Sequence, residues 1–210
     1  MRSLTSSDDG EYISAYFAVP KLRSPGKFRP ILNLKTFNNS VKKYKFKMET
    51  LRHVCEWLKP NSFCVGIDLK DAFPHIPINQ SFWKYLRFDW LGQLLEWISL
   101  PFGLKCSPRV LTKVLKPVIA FLRSTFAILV TIYMDDMLIR AGTPTEVFIK
   151  AQQVALVLVC LGWSLNWEKS LFIPSQQFKH LGFNFDTAAM LISCPTDKVQ
   201  RLQGLCRVAL

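Results

Sequence analysis

The chain has few acidic side chains, no long apolar run and no cysteine pair with the spacing typical of a metal site. Its longest apolar stretch, residues 154–161, is far shorter than the roughly 20 residues that a membrane-spanning helix needs, and we expect it to be a core helix. The first nine residues lack the apolar segment of a secretory signal. No internal repeat and no low-complexity tract is present. We therefore expect a globular domain that is not anchored in a membrane.

The six cysteines follow neither CxxC spacing nor the density of a small disulfide-linked domain. Most of them have apolar neighbours, as Cys64 has in Phe63 and Val65. This pattern favours reduced, buried thiols. We expect an intracellular protein, and the sequence does not distinguish cytoplasm from nucleus.

The shortage of acidic residues gives the chain a strong positive charge, with 27 Lys and Arg against 15 Asp and Glu. A surplus of 12 charges indicates a polyanionic partner. Nucleic acid and a membrane surface are the two candidates. Residues 1–60 hold 12 of the basic and 5 of the acidic residues, so we expect the N-terminal part to make most of the electrostatic contact.

Two adjacent acidic residues interrupt an apolar part of the sequence. Asp135 and Asp136 lie between the apolar residues 127–132 and 137–139. An unpaired buried carboxylate is costly, so we expect a β-hairpin with both Asp side chains at its tip, where they can bind a hard divalent ion such as Mg²⁺. An ordinary solvated turn is the alternative, because Asp is common in turns.

Strand and helix patterns recur along the rest of the chain. We expect a basic hairpin from 16–20 and 28–34, a helix over 50–58 and a second hairpin around residues 91–93. Ser107 and Pro108 predict a helix start with Ser at the N-cap. Residues 143–146 predict another helix start, with Gly162 ending that helix. The last predicted strands are 170–173 and 178–186.

From residue 63 the predicted order is strand, helix, strand, strand, helix, strand. This is the split βαβ layout of ferredoxin-like folds, so we expect an α+β fold with an antiparallel sheet and helices on one face. Asp68 ends the first strand and would then lie beside Asp135 and Asp136. Carboxylates placed together in this way can hold two divalent ions for an in-line phosphoryl displacement, which favours nucleotidyl transfer or nucleic-acid hydrolysis.

Five segments resemble the motifs of reverse transcriptases and occur in the same order. Among these enzymes, the segments most resemble the polymerases of DIRS-type retrotransposons and, next, those of Ty3-like retrotransposons. They are FCVGIDLKDAF at 63–73, LPFGLKCSP at 100–108, YMDD at 133–136, LGWSLNWEKS at 161–170 and FKHLGF at 178–183. Residues 19–38 resemble the preceding fingers motifs, and the resemblance covers about residues 15–195.

The resemblance implies an RNA-directed DNA polymerase that uses two Mg²⁺ ions, with Mn²⁺ as a substitute. The implied metal ligands are the side chains of Asp68, Asp135 and Asp136 and the backbone carbonyl of Leu69. Lys169 matches a lysine suggested to protonate the pyrophosphate leaving group, and an exposed lysine is the alternative interpretation.

The resemblance also implies a deoxynucleotide site. Phe73 would fill the space of a ribose 2′-hydroxyl and so exclude ribonucleotides. Phe102 and Gly103 would line the pocket beneath the templating pair, although some relatives have Gln where Phe102 stands. The residues expected to bind the triphosphate are Lys21, Lys27 and Arg29, with Arg23 competing with Lys21, and the backbone N–H groups of Asp71 and Ala72.

The implied partners are an RNA template, a DNA primer and deoxynucleoside triphosphates. Tyr133 and Met134 would lie against the primer terminus. His180, Leu181 and Gly182 resemble the primer grip, in which the backbone matters more than the imidazole.

We expect the following division: fingers at 1–62, the palm strand at 63–73, a fingers and palm insertion at 74–106, palm at 107–175, a primer-grip hairpin at 176–195 and the start of a thumb connection at 196–210. Thumb and ribonuclease H regions of a longer polyprotein would be absent, which predicts weak processivity. A nucleic-acid-binding palm without activity and a metal-dependent nuclease are the competing functions.

Overall fold

The structure is a computed structural model that describes residues 2–3, 12–20 and 26–209, and the side chains of residues 12–20 and 26–206. Among the helices in these ranges, none is both long enough and apolar enough to cross a membrane.

The described strands are β1 Arg2–Ser3, β2 Ile13–Ser14, β3 Tyr16–Pro20, β4 Phe28–Leu32, β5 Phe63–Asp68, β6 Arg87–Trp90, β7 Gln93–Glu96, β8 Leu129–Tyr133, β9 Asp136–Ala141, β10 Leu171–Ser175, β11 Gln177–His180, β12 Phe183–Asp186 and β13 Leu191–Ser193. The described α-helices are α1 Phe37–Ser40, α2 Leu51–Trp57, α3 Ser107–Thr125, α4 Pro144–Cys160 and α5 Thr196–Ala209, and Phe73–His75 and Gln80–Tyr85 are 3₁₀-helices.

The chain forms two compact units. Unit 1 comprises residues 1–46 and 71–114, and unit 2 comprises residues 47–70 and 115–210. The fingers and palm boundaries stay a prediction.

Unit 1 contains a four-stranded sheet in the order β1-β7-β6-β2 and the separate hairpin of β3 and β4. The predicted hairpin around residues 91–93 is confirmed, with Leu91 and Gly92 as its two-residue turn. Both residues have positive φ, 55° and 78°, which is the type I′ conformation that matches the twist of the strands. The buried core of unit 1 consists of Leu32, Leu34, Leu86, Phe88 and Trp97.

Unit 2 contains the antiparallel sheet on which the candidate site is built. Its strand order is β10-β5-β9-β8, which is the order 4-1-3-2 of the split βαβ layout. The predicted α+β fold is confirmed. Helix α4 packs on β5, β9 and β10, and its buried residues recur at helical spacing on one face: Val147, Ala151, Val154, Ala155 and Leu158.

Both ends of α4 follow the sequence prediction. Thr143 is the N-cap and its hydroxyl accepts a hydrogen bond from the backbone N–H of Glu146 at 3.2 Å. Gly162 follows the last turn with φ of 84°. The backbone N–H of Trp163 then donates to Leu158 at 2.9 Å, which is a Schellman ending. For α3 the predicted start is correct, but the Ser107 hydroxyl donates to the Pro101 carbonyl at 2.8 Å.

A second sheet of unit 2 contains β11, β12 and β13. The prediction of one strand over residues 178–186 is wrong, because Leu181 and Gly182 form a tight turn with φ of 48° and 79°. Strand β13 and helix α5 were not predicted. Helix α2 and the strands of both sheets share a core of Val54, Leu58, Cys64, Leu138, Phe178 and Phe185.

We predict that Gly103→Ala destabilises unit 1 far more than Gly92→Ala. Both glycines have positive φ, 95° and 78°, which costs an alanine roughly 1–2 kcal/mol. At Gly103 a Cβ would also lie 2.5 Å from the backbone oxygen of Leu32, whereas at Gly92 it would meet nothing within 4 Å. Urea unfolding should show a loss of about 2–4 kcal/mol for Gly103→Ala. Equal losses for the two variants would contradict this explanation.

Candidate active site

Two of the three candidate carboxylates are direct neighbours across the central strands of the unit 2 sheet. Asp68 is the last residue of β5 and Asp136 is the first residue of β9, and the two are paired in the antiparallel register. Such partners have Cα atoms about 4.5–5.5 Å apart. The folded chain therefore joins residues that are 68 positions apart in the sequence.

The hairpin of β8 and β9 differs from the predicted one in the placement of its acidic residues. Tyr133 pairs with Asp136, so the turn consists of Met134 and Asp135. Only Asp135 is at the tip, and Asp136 belongs to the strand. Met134 has φ of 60°, a conformation that is sparsely populated without glycine and that costs of order 1–3 kcal/mol.

Backbone hydrogen bonds fix the turn against the end of β5. The N–H of Leu69 donates to the carbonyl of Asp135 at 3.0 Å. Leu69 also forms a bridge with Leu165, in the loop between α4 and β10. The residues before and after the turn are thereby held in register with Asp68.

The loop between α4 and β10 holds Asp68 itself. Its backbone carbonyl accepts from Asn166 at 2.8 Å, and its backbone N–H donates to the hydroxyl of Ser170 at 3.0 Å. That hydroxyl donates in turn to the carbonyl of Asn166 at 2.8 Å. The backbone N–H of Lys70 also donates to the backbone carbonyl of Ser164 at 2.8 Å.

The crowding of carboxylates changes the protonation of Asp136. Burial raises the pKa of Asp136 to about 7, with further increases from the charges of Asp135 and Asp68 and from a hydrogen bond with the Asp68 side chain. The charge of Lys169 lowers this pKa. A carboxyl group with such a pKa is partly protonated at neutral pH, because its charge has no sufficient compensation in the protein alone.

Lys169 and His180 line one small cavity together with Asp68 and Asp136. The His180 side chain is buried, and burial lowers its pKa to about 4. Its imidazole is therefore neutral at neutral pH and adds no positive charge to the cavity.

Within the described ranges, no three or more His, Cys, Asp or Glu side chains are already arranged to hold a metal ion. The backbone brings the three Asp residues together, but the Asp68 and Asp136 side chains share a hydrogen bond. An ion that bound both carboxylates would replace that bond and its proton.

The second group of predicted residues meets within unit 1. The guanidinium of Arg29 lies over the ring of Phe102, 4.8 Å from its centroid. The ring of Phe73 meets Phe102 in an edge contact with centroids 5.0 Å apart. Cation–π and aromatic edge contacts are both attractive. Phe102, which stands where some relatives have Gln, thus contacts both the guanidinium and the aromatic ring predicted to select the sugar.

Neighbouring residues of unit 1 fix the backbone around this group. The side-chain amide of Asn38 donates to the carbonyl of Gly103 at 2.8 Å, and its oxygen accepts from the N–H of Lys105 at 2.8 Å. Asp71 has φ of 47°, and its carbonyl lies 3.0 Å from the Nδ1 of His75. Ala72 is buried directly before the 3₁₀-helix.

Lys21 and Arg23 lie outside the described residues, as does most of the predicted turn at 24–27. Lys27 is exposed directly before β4. Sequence reasoning missed Asn166 and Ser170, which hold Asp68. Their contacts are to backbone groups far away in the sequence, and no spacing pattern signals such contacts.

The model of the family "Reverse transcriptase (RNA-dependent DNA polymerase)" matches residues 19–185. The chain is 27% identical over 169 residues to the Pro-Pol polyprotein of simian foamy virus type 3 (strain LK3), covering 80% of the chain and 14% of the relative. It is 27% identical over 173 residues to the Gag-Pol polyprotein of feline leukemia virus, covering 78% and 10%. The chain thus spans less than a sixth of these relatives.

Solved structures of similar fold include the foamy viral protease-reverse transcriptase. One such structure, a complex with double-stranded DNA, gives a TM-score of 0.81 at 21% identity, covering 96% of this chain and 33% of that one. Another, with an RNA/DNA hybrid, gives 0.70 at 19% identity, covering 91% and 24%. At these identities the likeness shows the fold.

We predict that Ser170→Ala weakens the anchoring of Asp68. The change removes the acceptor of the Asp68 N–H and the donor to Asn166, and an unpaired, partly buried donor costs about 1–3 kcal/mol. The matched control is Ser175→Ala, whose hydroxyl donates to Gln177 at an exposed position, with an expected loss of about 0.5 kcal/mol. Denaturant unfolding measures both, and similar losses would argue against the anchoring role.

Proposed function

The chain belongs to the reverse transcriptase family, and on this premise we propose that it is the catalytic domain of an RNA-directed DNA polymerase of a retroelement. The observation that carries the proposal is the cross-strand pairing of Asp68 with Asp136, next to the turn that holds Asp135. A polymerase and a catalytically inactive palm differ in whether such carboxylates are present and adjacent.

The donor set fits a hard divalent cation. Carboxylate and carbonyl oxygens are the ligands that Mg²⁺ takes. Burial and the charges of Asp135 and Asp68 raise the pKa of Asp136, and a bound cation would compensate the negative charge of this group. We assign Asp68 and Asp135 as principal ligands, with Asp136 and the carbonyl of Leu69 beside them. Two bound Mg²⁺ ions, or Mn²⁺ in their place, would lower the barrier to attack by the primer 3′-hydroxyl and to departure of pyrophosphate.

The side chains of unit 1 supply the proposed nucleotide contacts. Arg29, kept over the ring of Phe102, presents a guanidinium that suits phosphate oxygens, and Lys21 and Lys27 add positive charge. Asp71 and Ala72 would donate backbone N–H groups to the triphosphate. Phe102 and Gly103 would line the pocket beneath the templating pair.

Phe73 is assigned as the residue that selects deoxyribose. Its ring would occupy the space of a 2′-hydroxyl, and its edge contact with Phe102 limits its movement. Lys169 would protonate the leaving pyrophosphate, a role supported by its place in the cavity with Asp68 and Asp136.

The proposed partners are an RNA or DNA template and a DNA primer. The charge of +12 and the nucleic acids bound by the solved foamy viral enzymes support this assignment. Tyr133 and Met134, in the hairpin, would contact the primer end. His180, Leu181 and Gly182 would contact its backbone.

We predict that Asp68→Asn and Asp135→Asn each abolish primer extension without harming the fold. Each change keeps the size of the side chain but removes a charged oxygen ligand. Template-directed incorporation with Mg²⁺ should fall by about 10²–10³-fold or more. Thermal unfolding should occur at the same or a higher temperature, because removal of one carboxylate relieves the repulsion around Asp136.

The matched control for these variants is Asp89→Asn. Asp89 accepts a hydrogen bond from Gly92 in the exposed hairpin turn of unit 1, and its loss should leave incorporation unchanged. Incorporation that survives Asp135→Asn would refute the proposed mechanism. Degradation of the template–primer without synthesis would point to a nuclease.

We predict that Phe73→Ala admits ribonucleotides. Removal of the ring opens space for the 2′-hydroxyl, so the ratio of kcat/KM for deoxynucleotide over ribonucleotide should fall by about 10–200-fold. Single-nucleotide insertion assays measure this ratio. Phe82→Ala removes an exposed ring of the same unit and should not change it. An unaltered ratio in Phe73→Ala would make Phe73 an ordinary packing residue.

A further inference from the structure

Strand β8 is an edge strand of the unit 2 sheet, and side chains satisfy its outward backbone groups. The strand pairs with β9 on one side only. On the other side its carbonyl at Val130 and its N–H at Ile132 have no strand partner. An edge strand without such partners is free to shift or to fray.

Two charged residues supply those partners. The carboxylate of Glu49 accepts from the N–H of Ile132 at 2.8 Å. The guanidinium of Arg123 donates twice to the carbonyl of Val130, at 3.0 Å from Nε and 2.6 Å from a terminal nitrogen. Arg123 also donates to Glu49 at 2.6 Å. We call Glu49 and Arg123, with these bonds, the edge clamp.

The contacts of the edge clamp to the backbone matter more than its ion pair. The side chains of Arg123 and Glu49 are 44% and 29% exposed, and an ion pair at such exposure adds little stability. Hydrogen bonds between a charged group and a backbone group are stronger and directional. The clamp therefore fixes the position of β8 rather than simply adding stability.

The position of β8 determines the position of the turn that follows it. The strand ends at Tyr133, and the turn begins with Met134 in a left-handed conformation. A residue in this conformation keeps it only when its surroundings enforce it. Asp135 comes next, and its backbone carbonyl accepts a hydrogen bond from the N–H of Leu69, which directly follows β5.

We propose that Glu49 and Arg123 are positioning residues for the Met134–Asp135 turn and so for the candidate metal-binding carboxylate. The catalytic part of this inference rests on the proposed function. Neither residue lies in the motifs that resemble the family's, and both bind backbone groups of β8. Their effect on the reaction would pass through β8.

Amide hydrogen exchange tests the clamp without any need for activity. Glu49→Ala should speed exchange of the Ile132 amide, its direct partner, by about 10-fold or more. The decisive amide is that of Leu69, because it donates to the carbonyl of Asp135. Leu69 directly follows β5, which is two strands away from β8 in the sheet. We expect it to exchange at least about threefold faster. Glu49→Gln, which keeps an acceptor oxygen for Ile132, should restore most of the protection at both amides.

A double-mutant cycle in primer extension tests the link to the strained turn. Glu49→Ala should lower kcat about 10-fold with little change in KM for template–primer. Met134→Gly makes the left-handed conformation accessible without cost. In that background Glu49→Ala should lower kcat by about threefold or less, because the turn depends less on the clamp.

The matched control is Glu56→Ala, which breaks the exposed Glu56–Arg52 pair on α2. It should change neither the Leu69 amide nor kcat, and its effect should not depend on Met134→Gly. The inference is overturned if Glu49→Ala affects only Ile132 and thermal stability, or if its effect on kcat is the same in both backgrounds. If the wild-type chain does not extend primers, the proposed function fails, and the Leu69 amide still decides the clamp.

Discussion

The repulsion among Asp68, Asp135 and Asp136 is the constraint around which unit 2 is organised. Pairing the ends of β5 and β9 brings the carboxylates together, and burial, with the charges of Asp135 and Asp68, raises the pKa of Asp136. One lysine, Lys169, reduces this effect but does not remove it. A protein that keeps such a costly group of charges has a use for it, and a cation that neutralises them provides one.

Hydrogen bonds to backbone groups hold these residues in place against the repulsion. Asn166 and Ser170 hold Asp68 from the loop after α4, and Leu69 holds the turn that contains Asp135. The Schellman ending at Gly162 sets the direction in which that loop leaves the helix. Glu49 and Arg123 complete the arrangement at the edge of the sheet. Each of these contacts fixes a position.

Unit 1 uses a different kind of contact for the groups assigned to the nucleotide. The ring of Phe102 makes a cation–π contact with Arg29 and an edge-to-face contact with Phe73. The guanidinium and the ring assigned to sugar selection therefore share one neighbour, Phe102.

The sequence by itself determined the family and the order of strands and helices that builds the β10-β5-β9-β8 sheet, because motif spacing and hydrophobic periodicity are local signals. It also determined the ends of α4, since Thr143 and Gly162 act within one turn of the helix. It misplaced Asp136 at the hairpin tip and missed the turn at Leu181. Those outcomes depend on strand register and on left-handed φ values, which no local pattern encodes.

Only the tertiary structure decided which residues support the site. Ser170 binds a residue 102 positions away, and Glu49 binds one 83 positions away. Both contacts reach backbone groups, whose chemistry is the same at every residue. A sequence shows which side chains are present, but the fold alone decides which backbone group each of them meets.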